Sequence, residues 1–277
     1  MKRYVIHDGE IDVRITEWGG EDKLVIFCLH GLGSTGLSFI EIAEKLKGEY
    51  RIISIDAPGH GKSDPFTRAE CYEMPALAGW LDKILDLLKI DTFYFLSHSW
   101  GSFVSLFYIL NFSEKVLGAI LIDGGYQTKR RLSISMEEEV AFQEKDFEEY
   151  AATWEEFLDV AVFGDSRRTP LLLTAAKDLA LQKDGKYYWH ARGETGGNII
   201  RGMHKNETED IYEKLPRHLD ICLLRAALPE SRAPYRNLTA GIFEQKTGAT
   251  VKLIPNTSHM LHWDDPGVVI REIRYRW

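Results

Sequence analysis

Between a strand-like run, Thr92-Phe93-Tyr94-Phe95-Leu96, and a helix-like run, Ser102 to Tyr108, stand Ser97-His98-Ser99-Trp100-Gly101. This order presents Ser99 at the crest of a sharp strand-to-helix turn, where a hydroxyl can act as a nucleophile. Such a turn needs small residues two before and two after the serine, because larger side chains would collide there. Ser97 and Gly101 meet that demand, although glycine is the commoner residue at the first position. A serine hydroxyl is a poor nucleophile at neutral pH. It needs a base to take its proton and an acid to orient that base.

A second pattern offers different chemistry. Gly31-Leu32-Gly33-Ser34-Thr35-Gly36 reads as G-x-G-x-x-G between a strand and a helix, with Asp56 at the end of the next strand, as in a dinucleotide-binding turn. Two strand-like runs, Arg3 to Ile6 and Ile11 to Trp18, precede it, whereas that turn normally follows the first strand of its domain. A nucleotide site would also leave Ser99 and His259 without a role.

Three further segments fall in sequence order around the serine turn. An apolar strand, Lys23 to Leu29, runs into His30-Gly31-Leu32-Gly33-Ser34; a second, Arg51 to Ile55, ends in Asp56-Ala57-Pro58-Gly59-His60-Gly61-Lys62-Ser63; a third, Val251 to Pro255, leads to Asn256-Thr257-Ser258-His259-Met260. With the Ser99 turn, these resemble the oxyanion loop, the D-x-P-G-H-G-x-S turn and the catalytic-histidine loop of the α/β-hydrolase fold superfamily, and the resemblance covers nearly the whole chain. The implied architecture is α/β: a mostly parallel, doubly covered sheet with a helical cap inserted after the sixth strand and the site at the C-terminal ends of the strands.

The resemblance gives Ser99 the role of nucleophile and His259 that of base. Of nine histidines, His259 alone follows a late apolar strand through a small, turn-like approach; His262, one helical turn on, reads as structural. The oxyanion hole would be the backbone N–H groups of Leu32 and Trp100. The acid has two candidates. Glu230, after the seventh strand, holds the commoner position, but its loop has Ala for Gly and Glu for Asp. Asp123 ends the sixth strand, where haloalkane dehalogenases and cofactor-independent dioxygenases carry the acid, and Gly124 and Gly125 would let the chain turn tightly there. Asp123 is the favoured acid, with Glu230 as the alternative. Pocket-wall candidates are His30 and Gly31 of the oxyanion loop, His98 of the serine turn, and Trp154 and Phe157 of the cap.

Serine at the turn separates this chain from dehalogenases and epoxide hydrolases of the fold, which use aspartate. The resemblance then implies a carboxylesterase-like hydrolase that cleaves an ester, thioester or lactone of a small or medium, mostly apolar substrate through an acyl-enzyme on Ser99, with no metal and no organic cofactor. Cofactor-independent dioxygenases and carbon–carbon bond hydrolases reuse the same constellation and stay as alternatives. So does a small-molecule receptor of this fold with little turnover.

The strand and helix alternation stops near Gln127 and returns at Leu219 to Leu224, which divides the chain into a core (1–127 and 218–277) and an insertion (128–217). Within the insertion Met136, Val140, Phe147, Tyr150, Trp154, Phe157, Leu158 and Val162 recur mostly three or four apart among glutamates, the pattern of one or two amphipathic helices that pack on the core and roof the site. The formal charge of −8 argues against nucleic acid as a partner. No segment is apolar for long enough to span a bilayer, and Met1 to Asp8 lacks the apolar stretch of a signal peptide, so no membrane insertion and a cytoplasmic location are expected. Three cysteines, with Cys28 and Cys222 inside apolar strands, imply neither a disulfide framework nor a metal site. The expected partner is a small ester-type molecule, and the protein is expected to be a monomer or homodimer.

Overall fold

The computed structural model describes residues 1–164 and 167–277; positions 165 and 166 of the insertion lie outside the described residues. Eleven strands occur among these: β1 (Lys2–His7), β2 (Asp12–Trp18), β3 (Val25–Leu29), β4 (Arg51–Ile55), β5 (Phe93–His98), β6 (Val116–Ile122), β7 (Tyr150–Ala151), β8 (Ala180–Lys183), β9 (Lys186–Trp189), β10 (Ile221–Ala226) and β11 (Thr250–Ile254). Eight of them form one sheet in the order β1-β2-β4-β3-β5-β6-β10-β11, parallel from β4 onward, with β1 and β2 antiparallel at one edge. The helices are α1 (Ile40–Leu46), α2 (Met74–Leu87), α3 (Trp100–Phe112), α4 (Met136–Glu148), α5 (Trp154–Leu158), α6 (Pro170–Leu179), α7 (Gly193–Lys205), α8 (Ala233–Thr247), α9 (Leu261–Asp264) and α10 (Pro266–Arg276).

The central strands are continuous apolar runs because both faces of the sheet are covered. Successive side chains point to opposite faces, and the two resulting sets are distinct. Phe27, Leu29, Phe93, Phe95 and Leu121 pack with α2, α3 and α8, whereas Ile26, Cys28, Leu96, Ile120 and Ile122 pack with α1 and α10. Cys28 and Cys222 are buried free thiols in that second layer.

The insertion follows β6, the sixth strand. It carries α4 to α7, and also a small antiparallel sheet in the order β7-β9-β8, which the expectation of a purely helical insertion did not include. The β8–β9 hairpin turns at Asp184-Gly185, both with positive φ (51° and 74°), the backbone that an Asp-Gly pair adopts in a tight hairpin. The apolar stripe from Met136 to Val162 is likewise broken. Ser135 and Glu138 form a reciprocal capping box that starts α4, the helix ends at Glu148, and Thr153 caps the separate α5.

The chain passes close to itself where β6 ends beside the start of α3. Ser99 N–H donates to Ile122 O (2.9 Å), and a Cβ on Gly124 would lie 2.1 Å from the carbonyl oxygen of Ser99. That neighbour is backbone and cannot swing aside. Gly124→Ala is therefore expected to destabilise the protein by about 2–3 kcal/mol, the cost of overpacking against a fixed neighbour, read from urea unfolding. An unchanged urea midpoint would contradict the close approach.

Candidate active site

Ser99 stands between β5 and α3 with φ 52° and ψ −123°, a left-handed backbone that costs a serine about 1–3 kcal/mol. Small neighbours make the turn feasible. A Cβ on Gly101 would lie 2.5–2.6 Å from the carbonyl oxygens of Leu29 and His30, so only glycine fits there. Ser97 takes the place of the usual first glycine without an unpaired hydroxyl, because its Oγ lies 3.1 Å from Ser102 Oγ and 3.0 Å from Ser105 Oγ, all buried. The compensating signal was in the sequence, as two serines three apart in an otherwise apolar helix.

Three side chains of the expected constellation meet. Ser99 Oγ is 2.8 Å from His259 Nε2, and His259 Nδ1 is 2.7 Å from Asp123 Oδ2. Asp123 follows β6 with φ 42° and no solvent exposure, whereas the His259 side chain is 43% exposed. The other carboxylate oxygen, Oδ1, accepts hydrogen bonds from Tyr126 O–H (2.9 Å) and Ala226 N–H (3.1 Å). Burial pushes the Asp123 carboxyl up, but the hydrogen bond and charge of His259, the Arg236 guanidinium and the Ala226 N–H outweigh it, so the group is held below the usual carboxylate range. Glu230 is exposed in a short turn after β10, and the Nδ1 position it would need is already occupied by Asp123.

The neighbouring histidines are neutral. Burial, with His262 and His259 nearby, pushes His98 well below its ordinary value; burial brings His30 and His262 to about 3 and His60 to about 4. Each anchors backbone or a hydroxyl. His30 Nδ1–H donates to Gly31 O (2.7 Å) while its Nε2 accepts from Ala57 N–H (2.9 Å), His98 Nε2–H donates to His259 O (2.9 Å), and His262 Nε2 pairs with Ser38 Oγ (2.8 Å). His98 thus fixes the loop that carries His259. The Asp56 carboxylate of the glycine-rich pattern is also buried and occupied, accepting from Gly36 N–H (2.8 Å) and Lys62 N–H (2.9 Å), which leaves it no access to a ribose.

Ser99 and His259 open into a cavity of about 530 Å³. Leu32 and Trp100 line it beside the serine, and Trp100 N–H, at the first position of α3, has no acceptor within its helix. The Trp100 indole stacks on His60 at 5.6 Å. The pocket-wall candidates need correction. Gly31 lies against the serine, since a Cβ there would be 3.0 Å from Ser99 Cβ, but His30, Gly31 and His98 do not line the cavity, and neither do Trp154 and Phe157. The break after α4 and the short β7 carry those two aromatics away, into a separate cluster with Tyr187, Trp189 and Trp263. The roof comes instead from Glu139 and Gln143 of α4 and Ile200 and Met203 of α7.

The family to which the chain belongs is the alpha/beta hydrolase fold family, matched over residues 25–203. Among curated relatives it is 30% identical over 120 residues to Protein PHYLLO, chloroplastic, of Arabidopsis thaliana, covering 40% of this chain and 7% of that one. It is 25% identical over 118 residues to Epoxide hydrolase 4 of Mus musculus, covering 43% and 33%. The matched stretch thus spans a third or less of either relative. Among solved structures, the thioesterase domain from the curacin biosynthetic pathway superposes with a TM-score of 0.77 at 17% identity, covering 99% of both chains.

Phe157 is 3% exposed within its aromatic cluster. Phe157→Ala is expected to cost about 3 kcal/mol of stability, as other buried Phe→Ala changes do, read from urea unfolding, while leaving the cavity over Ser99 as it was. Ile200→Ala and Met203→Ala should enlarge that cavity instead. Crystal structures of the three variants, beside their urea midpoints, separate the two effects.

Proposed function

We propose that this protein is a serine hydrolase that cleaves a carboxylic ester or thioester through an acyl-enzyme on Ser99. The observation that carries the reading is the continuous path Ser99 Oγ to His259 Nε2 (2.8 Å) and His259 Nδ1 to Asp123 Oδ2 (2.7 Å), with the serine open to a cavity. Ser99 Oγ attacks the substrate carbonyl as its proton passes to His259 Nε2, and the ionised Asp123 stabilises the imidazolium. The negative oxygen that develops is received by the N–H groups of Leu32 and Trp100. His259 returns the proton to the leaving alcohol or thiol, and a water deprotonated by the same nitrogen then releases the acid and restores Ser99. These residues and water handle every proton in the cycle.

The first test is covalent. A fluorophosphonate should label the protein on Ser99, found by peptide mapping, and Ser99→Ala should abolish both labelling and hydrolysis of 4-nitrophenyl acetate. Labelling elsewhere, or tight ligand binding with negligible turnover as a receptor would show, would overturn the reading. The second test concerns the acid. Asp123→Asn should lower turnover by about four orders of magnitude, as the amide of the orienting aspartate does in serine proteases, whereas Glu230→Gln should leave it within about threefold, a difference under 1 kcal/mol. The reverse order would return the acid to the strand β10 loop.

The cavity lining narrows the expected substrate. Phe103, Leu132, Ile200 and Met203 suit an apolar chain, and Lys129, Glu139, Arg232 and Arg236 share the same walls, so the proposed substrate is a mostly apolar one that carries a polar end. Lys129 is ion-paired with Glu139, and Arg236 lies against Asp123. Among the described residues no carboxylate pairs with Arg232, whose guanidinium is free to meet an anionic group of the substrate. Arg232→Gln should lower kcat/KM for the 4-nitrophenyl half-ester of glutaric acid by roughly tenfold, the equivalent of about 1.4 kcal/mol, while 4-nitrophenyl butyrate is spared. Equal loss on both esters would remove the anionic end from the proposal.

A further inference from the structure

The loop after β10, where the resemblance puts the usual acid, is filled by an arginine. Arg236, in the first turn of α8, is 5% exposed and uses both arms of its fork. Nη1 donates to Ala226 O (3.3 Å) and Leu228 O (2.6 Å), while Nη2 lies 3.4 Å from Asp123 Oδ2, the oxygen that also receives His259 Nδ1–H. Ala226 in turn donates its N–H to Asp123 Oδ1. The carboxylate, the end of β10 and the start of α8 are therefore tied into one unit through this guanidinium. Nothing local in the sequence marks Arg236 for this place; in the fold it begins the buried stripe Arg236, Thr239, Ala240 and Phe243 of α8, where a cation needs a buried partner.

We infer that Arg236 is a positioning residue for the Ser99 reaction: it holds the Asp123 carboxylate against the β10 strand end in the geometry that orients His259, and its charge offsets part of the pull of Asp123 on the imidazole. This inference rests on the serine-hydrolase reading for its kinetic consequence, but not for its electrostatic one. Asp123 alone would favour the protonated imidazole, whereas Asp123 sharing its Oδ2 with a guanidinium favours it less. The other groups facing this pair come from every side: Tyr126 after β6, Arg225 at the end of β10, Arg232 before α8, His98 beside the serine, and His262 in α9. The two histidines are neutral and the tyrosine is protonated, since burial and Asp123 push its hydroxyl upward. Asp123 is thus the carboxylate that Arg236 pairs with at this point.

The test is an NMR titration of the His259 imidazole in the wild type, Arg236→Gln, Arg236→Met and Arg236→Lys, with the resonance assigned from His259→Asn. Loss of the charge in the Gln and Met variants should raise the His259 titration midpoint by about half a unit or more, a threefold or greater gain in proton affinity, and the acid limb of kcat/KM for 4-nitrophenyl acetate should move by the same amount. Plateau kcat should fall roughly tenfold, about 1.4 kcal/mol in the barrier, with little change in KM. Arg236→Lys keeps the charge and should titrate as the wild type does. A folded Gln or Met variant whose His259 titrates unchanged overturns the inference. If neither folds, Arg236→Lys decides: a folded Lys variant with its midpoint displaced upward by half a unit overturns it, and one titrating as wild type supports it. The titration needs no turnover, so a failure of Ser99 to act as nucleophile would show in the kinetic arm and leave this arm readable.

Discussion

The left-handed backbone of Ser99 is the constraint on which the other arrangements depend. A serine does not hold φ 52° unless its surroundings leave it no alternative. Here those surroundings are backbone: the carbonyls of Leu29 and His30 press on Gly101, the Ser99 carbonyl presses on Gly124, and Ile122 O accepts the Ser99 N–H. Because β3, β5 and β6 are neighbours in the parallel sheet, their C-terminal ends deliver the His30-Gly31-Leu32 loop, Ser99 and Asp123 to one place. The strain is thus held by the rigidity of the sheet rather than by any one contact.

The buried histidines add no charge beside Asp123. His30, His60, His98 and His262 are buried and neutral, so the ionised Asp123 meets the Arg236 guanidinium and the His259 imidazole rather than a cluster of cations. A buried carboxylate needs compensation, and Asp123 has it from Tyr126, Ala226, His259 and Arg236. Glu230 has no comparable setting. It sits on an exposed turn where water would solvate the charge and weaken any hold on an imidazole.

How much of this the sequence disclosed follows from the range of the interactions. The serine turn, the strand runs and the histidine loop are local patterns, and the strands lie within a few residues of where alternation and apolar runs put them. Asp123 was legible because two glycines after a strand signal an unusual turn. The cavity wall was not legible, since a helical stripe says which residues are apolar but not which neighbour they meet. Trp154 and Phe157 had the right spacing, yet the helix ends at Glu148 and the chain becomes extended at Glu149, and their partners Tyr187 and Trp189 are about 30 residues away on a hairpin. Arg236 was missed for a similar reason: its partners, Asp123 and the Ala226 and Leu228 carbonyls, are brought to it only by the folded sheet.

The insertion divides its labour along the same line. Its aromatic half packs under α6 and is tied to the core by Arg3 with Asp178 and by Arg167 with Glu41 and Trp263 O. Its other half, α4 against α7, lies over Ser99 and is fastened through Lys205 to Glu73 and by the close approach of Gly202 to Tyr72 O. Burial in the first half needs only bulk and apolar character. In the second half Glu139 and Gln143 of α4 line the cavity, and Glu139 is held there by Lys129 and by His204 Nε2 (2.6 Å). Ile200 and Met203 of α7 line the same cavity as Glu139, Gln143 and Ser99.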